Sequence, residues 1–190
     1  TILKKNKCLF IGNEFLDAFP IKQFERKKKN WYEKHIHSFK NKRCILDVKT
    51  NIKYYENKAG FKFSKNNKFI EISFDLINFL KMLSKHLLVN KGGALFIDYG
   101  YNKQKMYDTL QGVKNHKKVD YLNNKGDVDI SYLVNFNLIT KIFNNNKMVV
   151  NGYTSQGLFL KELGILDRAE LMGKNMSFLK KANLFYRVNR

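Results

Sequence analysis

The spacing of apolar and polar positions changes several times along this chain, and each pattern predicts a different element. "KCLFIG" (Lys7–Gly12) is a continuous apolar run between polar residues. That suits a strand covered on both faces, as in a parallel sheet. From Pro20 to about Phe74 the runs "PIKQFERK", "WYEKHIHSF", "RCILDVK" and "KFIEISF" partly alternate. They predict antiparallel strands with one wet face. "DLINFLKMLSKHLL" (Asp75–Leu88) puts Leu76, Ile77, Leu80, Leu83, Leu87 and Leu88 near one face at helical spacing. Ser73 or Asp75 caps its start and Gly92 ends it. "GALFIDYG" (Gly93–Gly100) follows at once as a second buried strand, and helix, tight turn, strand is the grammar of a doubly wound α/β sheet. The stretch Tyr101 to Asp129 is polar, with little periodicity. "ISYLVNFNLITKIF" (Ile130–Phe143) reads as helix and "KMVVNGYTS" as a third strand. "QGLFLKELGI" and "LDRAELMGKNMSFLKKANLF" give two more helical patterns. The sum is an α/β mixed sheet carrying an inserted hairpin region, with no repeat, linker or marked domain boundary.

Composition narrows the class. The 190 residues suffice for one domain with a real core, and 44% hydrophobic with 14% aromatic content argues against disorder. No apolar run reaches the roughly 18 residues of a membrane span. Thr1 opens the chain without a basic-then-apolar leader, so secretion is not indicated. Cys8 and Cys44 are too few for a disulfide framework; both sit beside apolar residues and read as small buried thiols in a reducing compartment. The net charge of +20 resembles a nucleic-acid signal, but only five of the 36 basic residues are arginine. Lysine, asparagine and isoleucine share A/T-rich codons, and a dedicated nucleic-acid surface favours arginine forks. Scattered lysines predict solvated faces with weak, salt-sensitive attraction for polyanions, and no specific nucleic-acid partner.

Candidate chemistry gathers where strands end. In open α/β sheets, ligands bind beyond the carboxyl ends of the strands. The first strand ends at Asn13-Glu14, with Asp17 just beyond; the second ends at Asp98-Tyr99-Gly100. The acids either line a crevice or cap a helix start. "DTLQGVKNHKKVD" (Asp108–Asp120) and "GDVDIS" (Gly126–Ser131) are the other polar concentrations, suited to a substrate lid or to a solvated loop. Tyr99 and Tyr101 stack on a ligand or pack in the core. His116 is the one histidine with a candidate site role; His35 and His37 share one side of a strand without a third metal ligand nearby, so no metal is expected. No strand-turn-helix carries a glycine-rich phosphate or nucleotide loop, and no G-x-S-x-G elbow occurs.

Taken in order, five blocks carry a resemblance. "GNEFLDAFPIKQF", "GGALFIDYGY", "YDTLQGVKNHKKVD", "GDVDISYLVNF" and "TSQGLFLKELGI" with "RAELM" resemble the MidA family of class I S-adenosylmethionine-dependent methyltransferases, which includes the mitochondrial complex I assembly arginine methyltransferase. Order and spacing match across nearly the whole chain. Ser131 replaces a common threonine, Asn135 stands where the family usually has aspartate, an extra residue falls in Thr154-Ser155-Gln156, and the stretch after Met176 lacks the family's ending.

The resemblance implies a partial Rossmann-like class I sheet, made of its C-terminal strands, with an insertion at about residues 20–74. It implies that residues 1–190 form the C-terminal part of one methyltransferase domain. The glycine-rich E-x-G-x-G loop that holds the cofactor would then lie in a front half absent here: the sequence is part of a longer one, the product of a split gene with its other half on a separate chain, or a decayed frame. By resemblance, Glu14 and Asn13 are catalytic. Asp17, Asp98, Tyr99, Gly100, Asp108, Thr109, Gln111 and His116 bind substrate, and S-adenosylmethionine is the cofactor. The expected substrate is a protein, a subunit of respiratory complex I, in the mitochondrial matrix of a eukaryote or the cytoplasm of a bacterium. Two other classes stay open: a non-catalytic remnant serving as a binding module, and a basic polyanion binder.

Overall fold

A computed structural model describes residues 6–40, 42–115, 117–122 and 126–189. Residues 1–150 and 151–190 form two compact units. In the first, β1 (Leu9–Asn13) leads through a turn to a meander of β2 (Lys22–Lys27), β3 (Asn30–Phe39) and β4 (Lys42–Thr50). Helix α1 (Ile52–Ala59), β5 (Phe69–Ile72) and helix α2 (Phe74–Asn90) follow, then β6 (Gly93–Ile97) and the short β7 (Gly100–Tyr101). A small sheet of β8 (Gln111–Lys114), β9 (Lys117–Val119) and β10 (Asp129–Ser131) precedes β11 (Val134–Asn135) and helix α3 (Phe136–Asn145).

The pairing separates two regions. β1 and β6 run parallel in register, Leu9 opposite Gly93 through Asn13 opposite Ile97, and β7 pairs parallel with β11. The inserted region is an antiparallel sheet in the order β4-β3-β2-β5. The parallel and antiparallel pairings follow the two hydrophobic patterns, but β1 and β6 are not covered on both faces as expected: Leu9 and Ile11 are exposed, and neither strand has a fully buried residue. α2 packs Leu76, Ile77, Leu80, Leu83 and Leu87 inward. Leu76, Ile77 and Leu80 join Leu16, Phe24, Ile70, Ile72 and Val134 in the core. Burial of such side chains, about 25 cal/mol per Å² of apolar surface, is the main cohesive term.

Several expectations need correction. Leu88 turns outward, 49% exposed, because it lies past the edge of the buried stripe. Ser73 is the α2 cap, accepting from Leu76 N, and Lys91 rather than Gly92 adopts the left-handed cap conformation, at φ 53°. Residues 148–155 form no strand. The helix expected from Ile130 begins only at Phe136, since Ile130-Ser131 and Val134-Asn135 are strand-paired. α1 lies within the region read as strands; Asn51 caps it and Gly60, at φ 83°, ends it, yet only Ala59 is buried, so no apolar stripe announces it. Cys44 is exposed and Cys8 half-buried, so neither is the buried thiol expected.

The second unit holds helices α4 (Gln156–Glu162), α5 (Ile165–Gly173) and α6 (Phe178–Asn189), three where two were expected. Gly164, at φ 81°, breaks α4 from α5, and Ser155 caps α4 by accepting from Leu158 N. Ala169 and Gly173 are the buried points of α5.

Candidate functional site

The parallel ladder ends with Asn13 opposite Ile97, and the next residue begins the site. Glu14 extends the ladder by donating its N–H to the Ile97 carbonyl at 2.9 Å. It does so at φ 48°, a left-handed conformation uncommon outside glycine. The chain therefore turns sharply, and no helix starts here. Three successive amides, of Phe15, Leu16 and Asp17, converge on Asp98 Oδ2 at 3.1, 2.8 and 3.3 Å. Asp98 Oδ1 accepts the Tyr99 N–H at 2.8 Å. Asp98 thus fastens the end of β6 to the turn after β1 by charge-assisted hydrogen bonds.

The result is a group of carboxylates at the carboxyl ends of two adjacent strands. Asn13 and Glu14 are exposed, and Asp17 is half-buried. Burial pushes the Asp17 carboxyl up, and the charges of Asp98, Glu14 and Asp129 push it further. The exposed Tyr99 hydroxyl is pushed up chiefly by the Glu14 carboxylate. Asp129, at the start of β10, therefore bears on the same site; its only sequence signal was the polar run "GDVDIS". Tyr132 closes the back: its buried hydroxyl donates to the Leu16 carbonyl at 2.7 Å. Such a cluster favours a cation, because a bound positive charge relieves repulsion among like charges.

The remaining candidates lie around a second polar centre. Glu71, on β5 and only 6% exposed, accepts the Thr109 hydroxyl, and the Thr109 amide reaches its other oxygen at 3.2 Å. Gln23 Nε2 donates to Glu71 Oε2 and to Asp108 Oδ1, both at 2.8 Å. Leu133 N in turn donates to Thr109 Oγ1 at 2.9 Å. Thr109 and Asp108 therefore bind the loop before β8 to the antiparallel sheet. Gln111 is half-buried on β8, opposite Ser131. Tyr101 is buried beside Tyr107, and burial pushes its hydroxyl up to about 12. Asn135 caps α3 by accepting from Leu138 N and donates to the Tyr101 hydroxyl, a bond aspartate would not make. His116 lies outside the described residues. Neither Glu71 nor Gln23 stood out in the sequence; a buried acid inside the apolar run "FIEISF" was the available signal for the first.

Burial pushes the Glu71 carboxyl up from its ordinary 4.5, against the hydrogen bonds of Thr109 and Gln23. The fold therefore favours its protonated form, a stabilisation fully present below the unfolded value and lost as pH rises through the folded one. The stability difference between wild type and Glu71→Gln is expected to fall as pH rises from 4.5. Urea unfolding across a pH series checks this, and a flat difference contradicts it.

Gly100 has a packing reason to be glycine. A Cβ there would lie 2.2 Å from the Val134 carbonyl oxygen and 2.7 Å from the Phe136 ring. Gly100→Ala is expected to separate β7 from β11 at a cost of about 1–3 kcal/mol. A thermal melt matching wild type would exclude that.

The parallel strand ends, the anchored turn and the acidic cluster lie together at the carboxyl edge of an α/β fold of class I methyltransferase type. Residues 2–154 match the family described as "Putative S-adenosyl-L-methionine-dependent methyltransferase", and the chain belongs to this family. It is similar to the mitochondrial protein arginine methyltransferase NDUFAF7 homolog of Caenorhabditis elegans, 28% identical over 84% of this chain and 38% of the relative. It is also similar to NDUFAF7 of Danio rerio, 26% identical over 86% of this chain and 39% of the relative. The chain thus spans under two-fifths of these relatives' length. Among solved structures it resembles a COG1565 superfamily protein from Burkholderia thailandensis bound to S-adenosyl-homocysteine, with a TM-score of 0.72 and 23% identity over 94% of this chain and 48% of that one. No helix among the described residues is long and apolar enough to cross a membrane.

Proposed function

We propose that this chain is the substrate-side portion of an S-adenosylmethionine-dependent protein arginine methyltransferase. The observation that carries this reading is Glu14, held at φ 48° beyond two paired parallel strands, beside Asp17 and the anchored Asp98. The donor set fits cationic ligands: a guanidinium and the sulfonium of the cofactor both carry positive charge. When bound, S-adenosylmethionine supplies an electrophilic methyl group. This chain's own task is to orient the acceptor. Glu14 accepts hydrogen bonds from the guanidinium and aims one nitrogen outward, since transfer depends on in-line positioning. Asp17 adds charge from the same side, and Asn13 lines the wall beside Glu14. Tyr99, exposed next to Glu14, limits how a side chain enters. Gln111 belongs to the substrate face of β8, with Asp108 and Thr109 holding that segment in place, and His116 is assigned to substrate binding by the resemblance alone. The names of the relatives support an arginine in a protein substrate and a mitochondrial setting, and the resemblance supports a complex I subunit as that substrate.

A complementary half on a second chain is favoured by one feature. β1 pairs only with β6 among the described residues, and Leu9 and Ile11, on one of its faces, are 70% and 66% exposed. An apolar strand with an unpaired edge is a template for a further strand. The test is methyl transfer from labelled S-adenosylmethionine to arginine in a complex I subunit. This chain would be assayed alone and together with a polypeptide carrying E-x-G-x-G. Transfer only by the pair is expected. Failure of the pair to label arginine would overturn the reading and leave a non-catalytic binding module.

A further inference from the structure

A second cavity, of about 270 Å³, opens between the loop after α1, the segment before β8 and the first turn of α3. This is near the lower end of ligand-sized pockets, roughly 300 Å³. Its polar lining is uneven in sign. Lys62 and Lys141 stand on it, and no carboxylate lines it among the described residues. Neither lysine makes an ion pair among the described residues; Lys141 Nζ instead lies 4.9 Å from the centre of the Phe61 ring. At the floor, Asn67 is only 2% exposed. Asn67 lines the cavity, and its Oδ1 is taken by the Met106 N–H at 3.3 Å, which leaves Nδ2 as the side chain's donor. Asn137 and Gln104 add further amides, and the positive end of α3 has the same sign. Phe61, Phe63 and Met106 supply apolar wall.

Uncompensated cations above a buried donor, with aromatic sides, suit an acceptor-rich ligand with a compact apolar body. We propose that this cavity binds an oxyanion, a carboxylate or phosphate, carried on an aromatic or aliphatic group. The site is separate from the acidic cluster and of opposite charge, and the proposal does not depend on the methyl-transfer reading. Lys62 and Lys141 contribute charge, Asn67 Nδ2 contributes direction, and Phe61 contributes shape. The same chemistry comes either from a free small anion or from an acidic residue of a docked peptide.

The probe is phenyl phosphate, titrated into the whole chain and followed by calorimetry. Saturable one-site binding is expected. Lys62→Gln combined with Lys141→Gln should weaken it at least tenfold, whereas Lys28→Gln combined with Lys29→Gln, two exposed lysines elsewhere, should leave it unchanged. Asn67→Asp keeps an acceptor for Met106 N but replaces the donor with a negative oxygen, so it should abolish binding; because the new charge is buried it also lowers the urea midpoint, and the lysine pair, both exposed, gives the loss without that cost. Displacement of phenyl phosphate by a Glu-Phe-containing tetrapeptide assigns the site to a peptide side chain, and no displacement assigns it to a free anion; both support the oxyanion site. Absent saturation, or equal loss in the two lysine pairs, overturns it and leaves only the diffuse attraction of a basic surface.

Discussion

Glu14→Gln is expected to abolish arginine methylation by the completed enzyme, by at least about a hundredfold, while leaving S-adenosylmethionine affinity nearly unchanged. The two side chains have the same shape and face the same backbone constraint at φ 48°. The ladder bond from residue 14 to Ile97 is made by the backbone and survives the change. What disappears is one negative charge at the point where the proposed arginine substrate would be held. A neutral amide presents a donor beside the acceptor, so the attacking nitrogen is no longer held in one orientation. Asp17 does not substitute, because it is not at the end of the ladder where Glu14 stands. The measurement is turnover with labelled cofactor, alongside cofactor binding by calorimetry. Unchanged turnover would remove Glu14 from the reaction. Equal loss of cofactor affinity would move it from the substrate side to the cofactor side.

The parts of this site that could be read from sequence are those where one residue does its own work. Asn13-Glu14 and Asp98 end apolar runs, and apolar runs in an α/β grammar are parallel strands, so their carboxyl ends were legible. What Asp98 does was not. Its charge invites a binding role, but its oxygens are filled by amides of residues 15–17 and 99, a fact of tertiary geometry. Thr109 shows the same limit: the motif marks it, yet its partner Glu71 lies 38 residues earlier in a different sheet. α1 was missed for a different reason. A helix that buries one alanine leaves no periodic stripe, and Asn51 and Gly60 are weak signals without one. The lack of a strand at residues 148–155 has the converse cause, since β-branched residues alone do not make a strand without a neighbour to pair with. The cavity between α1 and α3 assembles from three separated segments, none of them marked by spacing.

Asp98→Ala should be the most destabilising single change in the site, at about 3 kcal/mol. Four amides share this carboxylate, and alanine leaves all four without an acceptor. Their costs differ. Tyr99 is exposed, so water replaces its bond cheaply, but Leu16 is fully buried, and its amide points where solvent has little access. A buried donor without a partner costs about 1–3 kcal/mol, more when the lost acceptor was charged. Loss of the anchor also frees Glu14 from its left-handed conformation, since only the Ile97 ladder bond then holds it. Stability and arginine turnover should therefore fall together in Asp98→Ala. Asp98→Asn separates the two effects. An amide oxygen placed toward residues 15–17 keeps their acceptor, while its NH2 group opposes only the exposed Tyr99 amide, so the cost should be nearer 1 kcal/mol. Removing the charge also relieves one of the repulsions that raise Asp17, and NMR titration should show the Asp17 carboxyl moving part of the way back, because burial remains the larger cause. Urea unfolding with an unchanged slope checks the energies. If Asp98→Ala unfolds within about 0.5 kcal/mol of wild type, the carboxylate does not organise the turn, and the placement of Glu14 must come from elsewhere.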